Sequence, residues 1–180
     1  MKPENVLILP GWHNSGPSHW QSRWEQAFGF TRVQQHDWER PLRGDWQIQL
    51  EEAVLNCDEP AVLVAHSLGV ILVAAWAACS KNVDRVKGAL LVAPGDVARA
   101  QTRTLLPSWW PIERKPLPFD SILVASRNDP RCRFDLSETL AKDWRSELID
   151  LGSAGHINAE SGLGDWPRGQ VLLQGLMQLN

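Results

Sequence analysis

Residues 61–78 constrain the fold more than any other part of the sequence, because two different apolar patterns meet there at one serine. Residues 61–65 form a short, continuous apolar run, which is typical of a fully buried strand. After Ser67 and Gly69 the apolar run is longer and rich in alanine, so its length favours a helix. The pattern predicts a strand that turns sharply into a helix, with Ser67 at the corner.

A serine at such a corner has the surroundings of a nucleophile. The turn lifts its hydroxyl clear of both elements and places the next amide, that of Leu68, at the helix N-terminus, where negative charge is stabilised. Ala65 and Gly69 flank the serine as small residues, although the usual pattern has glycine at both positions. Ser67 is therefore the candidate nucleophile.

The composition of the 180-residue chain argues against several classes of protein. Its formal net charge is −3 with both signs interspersed, so no basic stripe indicates a nucleic-acid partner. No segment has the length of a membrane span, and residues 6–9 are too short for the core of a signal peptide. Cys57, Cys79 and Cys132 lie far apart, which argues against a zinc ribbon or disulfide scaffold and suits a reducing compartment. We expect a cytoplasmic protein without a nucleic-acid or membrane partner.

Strand and helix patterns alternate along the chain. Helices are predicted after the candidate N-caps Ser18 and Asp45, after the serine turn, and over 134–144 and 166–179; strands are predicted at 5–9, 31–35, 61–65, 86–93, 121–126 and 147–151. This alternation predicts an α/β fold: a mostly parallel sheet of about six strands with helices on both faces. Without a linker or repeat, residues 1–180 are expected to form one domain. The proline-rich stretch 99–118 is the only irregular excursion, too short for a large lid domain.

Polar residues follow several predicted strands, where a parallel sheet gathers its functional groups. A serine hydroxyl needs a base to take its proton, and the base needs an acid to hold its tautomer. Ser67, Asp129 and His156 occur in the order nucleophile, acid, base, which is the chain order of α/β-hydrolases. They are the predicted triad. Asp96 is an alternative acid, less favoured because the acid usually follows a strand nearer the histidine.

Neighbouring residues have predicted supporting roles. The side chain of His66 should point away from the hydroxyl, so we expect it to pack or to hydrogen-bond to a neighbouring loop rather than act as the base. An oxyanion hole needs two backbone N–H groups, for which Leu68 and Trp12 are the candidates, with His13 next. His13 and His19 have few carboxylate or cysteine neighbours in the sequence, so metal binding is disfavoured and we expect no metal or cofactor.

The chain has ten tryptophans and no tyrosine. Trp20 and Trp24 are predicted to pack in the core as part of an amphipathic helix. Trp109 and Trp110 lie in the excursion 99–118, and we expect them, with His13, to line a substrate pocket. The alternative is that both tryptophans pack on the edge of the sheet.

Motifs spread along nearly the whole chain resemble a known family. They are Ser-Gly-Pro-x-His-Trp-Gln at 15–21, His-Ser-Leu-Gly at 66–69, Val-Ala-Pro at 92–94, Ala-Ser-Arg-Asn-Asp-Pro at 125–130 and Gly-His-Ile-Asn at 155–158. With these motifs the sequence resembles the small serine hydrolases related to retinoblastoma-binding protein 9 and bacterial YdeN. The resemblance implies a minimal α/β-hydrolase fold without a large lid, the triad Ser67, Asp129 and His156, and esterase-like activity on small acyl substrates.

The sequence thus predicts a serine hydrolase, carboxylesterase-like, that cleaves a small acyl ester through an acyl-enzyme. Two alternatives stay open. One is a protein-binding module on a hydrolase fold, which would not need three triad members at three strand ends. The other is an acyltransferase or amidase that uses the same triad, which the fold alone does not distinguish.

Overall fold

The computed structural model describes residues 2–178, which contain a six-stranded sheet. Every pair of neighbouring strands is parallel, in the order β2-β1-β3-β4-β5-β6. The strands are β1 (Val6–Leu9), β2 (Thr31–Arg32), β3 (Ala61–Ser67), β4 (Val86–Pro94), β5 (Asp120–Ala125) and β6 (Glu147–Asp150). The predicted α/β fold with a parallel sheet of about six strands is confirmed.

Residues 2–178 form six α-helices, of which the first five connect consecutive strands and the last follows β6. They are α1 (Trp20–Phe28), α2 (Arg43–Leu55), α3 (Leu68–Ala77), α4 (Ala100–Leu105), α5 (Phe134–Trp144) and α6 (Pro167–Gln178). Buried side chains of α2, α3 and α5 form one core on one face of the sheet, and those of α1 and α6 form a second core on the other face. Both faces are covered, which explains why the central strands are apolar throughout. Within residues 2–178, none of the helices combines the length and hydropathy that a bilayer-crossing segment requires.

Trp20 and Trp24 both point into the second core, as the sequence predicted. Their indole rings pack edge to face with centroids 4.8 Å apart, and Trp20 also packs against Trp166 from the chain segment just before α6. The tryptophans therefore join α1 to the C-terminal helix across this face of the sheet.

Two predicted helix starts differ from the structure. His19, not Ser18, caps α1, because its Nδ1 accepts the Gln21 amide. The cap of α2 is Leu42 rather than Asp45, and the Arg43 amide instead donates to the remote Ser108 hydroxyl. A long-range contact here replaces the local cap that the sequence pattern favoured.

One predicted strand is shorter in the structure, and the predicted end of the last helix is not tested. The predicted strand 31–35 is only two residues long, although the Val33 amide still donates to the Ile8 carbonyl. The predicted last helix ended at Leu179, which lies outside the described residues.

The connection between β4 and β5 holds the short helix α4 and a single 3₁₀ turn, Pro107–Trp109, so it forms no lid domain. Trp109 has none of its surface exposed, packs against Trp46 of α2, and donates its indole N–H to the Pro41 carbonyl. The prediction that Trp109 lines a pocket is therefore wrong, because an indole without exposed surface cannot contact a substrate. Trp110 is 45% exposed, and the Arg103 guanidinium lies over its ring.

Helix α3 starts in close contact with the end of β1. A Cβ added to Gly69 would lie 2.3 Å from the Leu9 carbonyl oxygen and 2.8 Å from that of Pro10. Both obstacles are backbone atoms, which cannot rotate away as a side chain can. Only glycine fits at this position, and this contact fixes how closely the serine turn approaches the end of β1.

We predict that Gly69→Ala lowers the free energy of unfolding by at least about 1–3 kcal/mol, the usual cost of overpacking. Gly44→Ala in α2 is the matched control, because a Cβ there meets nothing within 4 Å. The control should be neutral or stabilised by up to about 1 kcal/mol, since alanine favours helix more than glycine does. Urea denaturation of both variants measures the difference, and equal stability of the two would contradict the packing argument.

Candidate active site

Ser67 lies at the turn between β3 and α3 in an unusual backbone conformation, with φ 55° and ψ −115°. Positive φ is uncommon for a residue with a Cβ and persists only where surrounding contacts enforce it. One such contact is the Gly95 amide, which donates to the Ser67 carbonyl at 3.2 Å. Gly11 approaches from the other side, where an added Cβ would lie 2.8 Å from the Ser67 Cβ. The predicted strand–serine–helix turn is therefore present and tightly enclosed.

The three predicted triad residues meet at the carboxyl edge of the sheet. The distance from His156 Nε2 to Ser67 Oγ is 2.9 Å, and His156 Nδ1 lies 3.0 Å and 2.9 Å from the two carboxylate oxygens of Asp129. The Asp129 side chain is 3% exposed and that of His156 is 11% exposed. Nearly dry surroundings strengthen both polar contacts relative to the same contacts in water.

This geometry fixes the tautomer of a neutral His156. An ionised carboxylate only accepts hydrogen bonds, so the nitrogen facing Asp129, Nδ1, must carry the proton. Nε2 is then free to accept the Ser67 hydroxyl. Asp96, the alternative acid, instead accepts the Ala98 amide and lies 3.3 Å from the Arg99 side chain. Asp129 is the carboxylate that the structure places against the histidine.

Residues 151–158, which we call the histidine loop, carry His156 beyond the end of β6. Two amides of this loop are held by side chains that follow β5: Ala154 donates to the Ser126 hydroxyl at 2.9 Å, and Gly155 donates to Asn128 Oδ1 at 2.8 Å. The Ser126 hydroxyl in turn donates to Asn128 Oδ1 at 2.8 Å. Sequence reasoning missed both side chains, although both belong to the Ala-Ser-Arg-Asn-Asp-Pro motif that carried the resemblance.

The role of Trp12 and Leu68 as oxyanion-hole donors stays a prediction, although both residues lie close to Ser67 along the chain or through Gly11. Leu68 is the first residue of α3, and Trp12 follows Gly11, whose Cα faces Ser67. Within residues 2–178, neither the Trp12 nor the Leu68 amide donates a hydrogen bond to another protein group.

His66 points away from the Ser67 hydroxyl and toward the histidine loop, as the sequence predicted, with Nε2 2.9 Å from the His156 carbonyl oxygen. Its ring lies between those of His19 and His156, at centroid distances of 4.7 Å and 4.9 Å. Burial, together with the positive charge that either neighbour would carry, holds the pKa of His66 well below its usual value. His66 therefore stays neutral in the folded protein.

The remaining candidates lie at the margin of the site. His13 stacks on Trp12 with ring centroids 4.4 Å apart, and its Nδ1 lies 2.9 Å from a Glu39 carboxylate oxygen. The Trp12 indole N–H donates to the Glu39 carbonyl, so this residue holds both rings. In the part of the chain that the structure describes, no three or more His, Cys, Asp or Glu side chains are grouped as metal ligands.

Gln21 is a second group that sequence reasoning missed. Its side-chain amide is fully buried and donates to the carbonyls of Leu9 and Val64, at 3.1 Å and 3.0 Å. Its oxygen accepts the Ser15 hydroxyl at 2.8 Å. Gln21 thereby links the end of β1 to the middle of β3, the two strands that lead into the site. The only signal was its place in the Ser-Gly-Pro-x-His-Trp-Gln motif.

A family model described as "Serine hydrolase" matches residues 6–175, which is nearly the whole chain. Among solved structures, a protein described as a YdeN-like hydrolase from Pectobacterium atrosepticum is 31% identical, with a TM-score of 0.83 over 95% of this chain and 89% of that one. The ydeN gene product of B. subtilis is 20% identical, with a TM-score of 0.74 over 96% and 97% of the two chains. No curated protein matches the sequence significantly.

A more distant structure shares the fold alone. Est1E from Butyrivibrio proteoclasticus, solved with bound ferulic acid, is 12% identical, with a TM-score of 0.74 over 99% of this chain and 94% of that one. The fold and site therefore define an enzyme of the α/β-hydrolase class. Within that class, the chain belongs to the serine hydrolase family, which includes YdeN-like hydrolases.

The stability of the protein should fall in mild acid because of His19. Burial, the nearby Arg32 charge and His156 lower the pKa of His19 from 6.5 to about 4. Above pH 6.5 neither the folded nor the unfolded chain protonates it, so it has no effect there. Between pH 6.5 and about 4 the unfolded chain binds a proton that the folded chain does not, which destabilises the fold by up to about 3 kcal/mol.

Urea denaturation at pH 7 and pH 5 measures this loss. His19→Asn should reduce the pH dependence, because asparagine does not titrate in this range and its side chain also caps helices. His36→Asn, at an exposed histidine, should leave the dependence as it is. An unchanged pH dependence in His19→Asn would show that the buried imidazole is not its source.

Proposed function

We propose that this serine hydrolase is a carboxylesterase-like enzyme that cleaves small acyl esters through a triad of Ser67, His156 and Asp129. The observation that carries the proposal is the continuous hydrogen-bonded row from the Ser67 hydroxyl through His156 to the Asp129 carboxylate. This row provides a nucleophile, a base on the correct tautomer and a buried anion behind the base, which are the three components that acyl transfer from a serine requires.

Acylation would proceed in two stages. Ser67 Oγ attacks the ester carbonyl carbon while its proton moves to His156 Nε2, which produces a tetrahedral oxyanion and an imidazolium. Asp129 stabilises the imidazolium by accepting the Nδ1–H bond. The oxyanion then re-forms the carbonyl, the ester C–O bond breaks, and the imidazolium proton moves to the departing alcohol. The product of this half-reaction is an acyl group on Ser67.

Deacylation repeats these steps with water as the nucleophile. His156 Nε2 takes a proton from water as its oxygen attacks the acyl carbon, and the proton then returns to Ser67 Oγ as the carboxylic acid departs. In both halves the amides of Trp12 and Leu68 donate to the oxyanion. Backbone donors fixed in advance need no reorganisation during the reaction, which is why such holes lower barriers effectively.

The short β4–β5 connection supports small substrates. It contains a six-residue helix and a 3₁₀ turn, and Trp109, one of its two tryptophans, is used in the core rather than over the site. A site without a lid provides little apolar surface for a long acyl chain and nothing that must open at a lipid surface. We therefore expect short to medium acyl esters as substrates and no activation by lipid emulsions.

We predict that Ser67→Ala abolishes hydrolysis of p-nitrophenyl acetate and covalent labelling by a fluorophosphonate probe. The hydroxyl is the only group removed, so the circular dichroism spectrum and the melting temperature should stay close to those of the wild type. Labelling of the alanine variant at the wild-type level would overturn the assignment of the nucleophile.

The two candidate acids can be compared directly. Asp129→Asn should lower kcat by up to about 10⁴-fold, because an amide favours the wrong tautomer of His156. Asp96→Asn is the matched control: this carboxylate is also well buried, at 12% side-chain exposure, but it pairs with Arg99 instead of the histidine. Its kcat should remain within a few-fold of the wild type. Steady-state kinetics with p-nitrophenyl butyrate decides between them, and reversed effects would make Asp96 the acid.

A further inference from the structure

The backbone carbonyls of His156 and Ile157 also accept hydrogen bonds from side chains outside the histidine loop. The His66 imidazole donates from Nε2 to the His156 carbonyl at 2.9 Å, and the Trp20 indole donates to the Ile157 carbonyl at 2.8 Å. Both donors are buried, with His66 5% and Trp20 1% exposed. Ser126 and Asn128 hold the preceding amides, so four side chains fix four consecutive residues of the histidine loop.

The conformation of the loop makes these bonds necessary. Ile157 is fully buried and has φ 48°, a value that a β-branched residue adopts only under constraint. The loop also contains Gly152 and Gly155, both at positive φ, which provide no side chain to restrain the backbone. Contacts from outside the loop must therefore hold the His156 ring where its Nε2 meets Ser67.

His66 is placed to link the two reacting groups. It directly precedes Ser67 at the end of β3, and its ring reaches the backbone of the base. A shift of the β3 end would therefore move the nucleophile and the support of the base together. The distance between Ser67 Oγ and His156 Nε2 then depends on one strand end rather than on two independent loops.

The neutral state of His66 suits this role. With one proton, located on Nε2, it donates to the His156 carbonyl without placing a second positive charge near the site. A charged ring 4.9 Å from His156 would oppose the imidazolium that the reaction forms there. The groups around it are aromatic or imidazole rings, since His19, Trp20 and His156 pack against it.

We propose that His66 is a positioning residue, which holds His156 in register with Ser67 through the bond to the His156 carbonyl, and that Trp20 is a second anchor of the same loop. This inference rests on the proposed function, because it concerns the alignment of the proposed base. His66 takes no part in proton transfer and does not contact the substrate.

The test compares His66→Met with His66→Gln. Methionine has a similar length but no N–H donor, whereas the glutamine amide can place a donor where Nε2 was. We expect His66→Met to lower kcat by about 10- to 100-fold with KM changed by less than about twofold, because misalignment of a base slows the chemical step. His66→Gln should recover most of kcat. Rates on p-nitrophenyl acetate are divided by the endpoint of fluorophosphonate labelling, so that misfolded molecules are not counted.

Trp20→Phe tests the second anchor. If His66→Met does not fold, this variant also tests whether side-chain bonds to the histidine loop align His156. Its matched control is Trp144→Phe in α5, where an equally buried indole donates to a backbone carbonyl, that of Glu113, also at 2.8 Å. Both variants should lose thermal stability, but only Trp20→Phe should lose kcat. Equal kcat losses in the two variants would indicate a general effect on packing and contradict the anchor.

The outcomes separate this inference from the proposed function. If Ser67→Ala is inactive but His66→Met keeps wild-type kcat, or His66→Gln is no better than His66→Met, the positioning role is wrong and the triad stands. If Ser67→Ala retains activity, the proposed function itself fails. A larger loss in His66→Met than in His66→Gln, at constant KM, supports the positioning role.

Discussion

The active site depends on how closely the ends of β1 and β3 approach each other. Ser67 has its positive φ in a turn where Gly69 lies against the Leu9 carbonyl, Gly11 lies against Ser67 itself, and the Gly95 amide donates to the Ser67 carbonyl. Parallel pairing of β1 with β3, in register from Val6 to Leu9, brings these ends together. The two apolar cores stabilise the sheet and so outweigh the local strain of the turn. The strained nucleophile is thus a consequence of the central sheet rather than of local sequence alone.

A layer of polar side chains, buried except for the exposed Asn128, completes this edge of the sheet. Gln21 bonds to backbone carbonyls of β1 and β3, whereas Ser126, Asn128, His66 and Trp20 bond to the backbone of the histidine loop. A buried backbone group without a partner costs free energy, so these bonds stabilise the fold as well as align the site. Stability and alignment therefore share the same side chains at this edge.

The strands and the chemistry-bearing positions could be predicted because they follow from local patterns. Continuous apolar runs indicate doubly covered strands, and polar residues just beyond them indicate the carboxyl edge, so the meeting of Ser67, Asp129 and His156 was expected. Features that depend on distant partners could not be predicted. The sequence around Trp109 looks like that of an exposed loop, but its indole N–H donates to the Pro41 carbonyl, 68 residues away along the chain. Leu42 is the N-cap of α2 although its side chain makes no capping bond, because the hydroxyl of the remote Ser108 accepts the Arg43 amide.

The cluster of three imidazoles shows why burial matters for the chemistry. His19 and His66 are forced to remain neutral by the same core that encloses them, with the pKa of His19 near 4. His156 is at the edge of this cluster, next to the one carboxylate, and so it is the imidazole whose positive charge has a partner. The surroundings of the rings, rather than the residue type, distinguish His156, the proposed base, from His19 and His66.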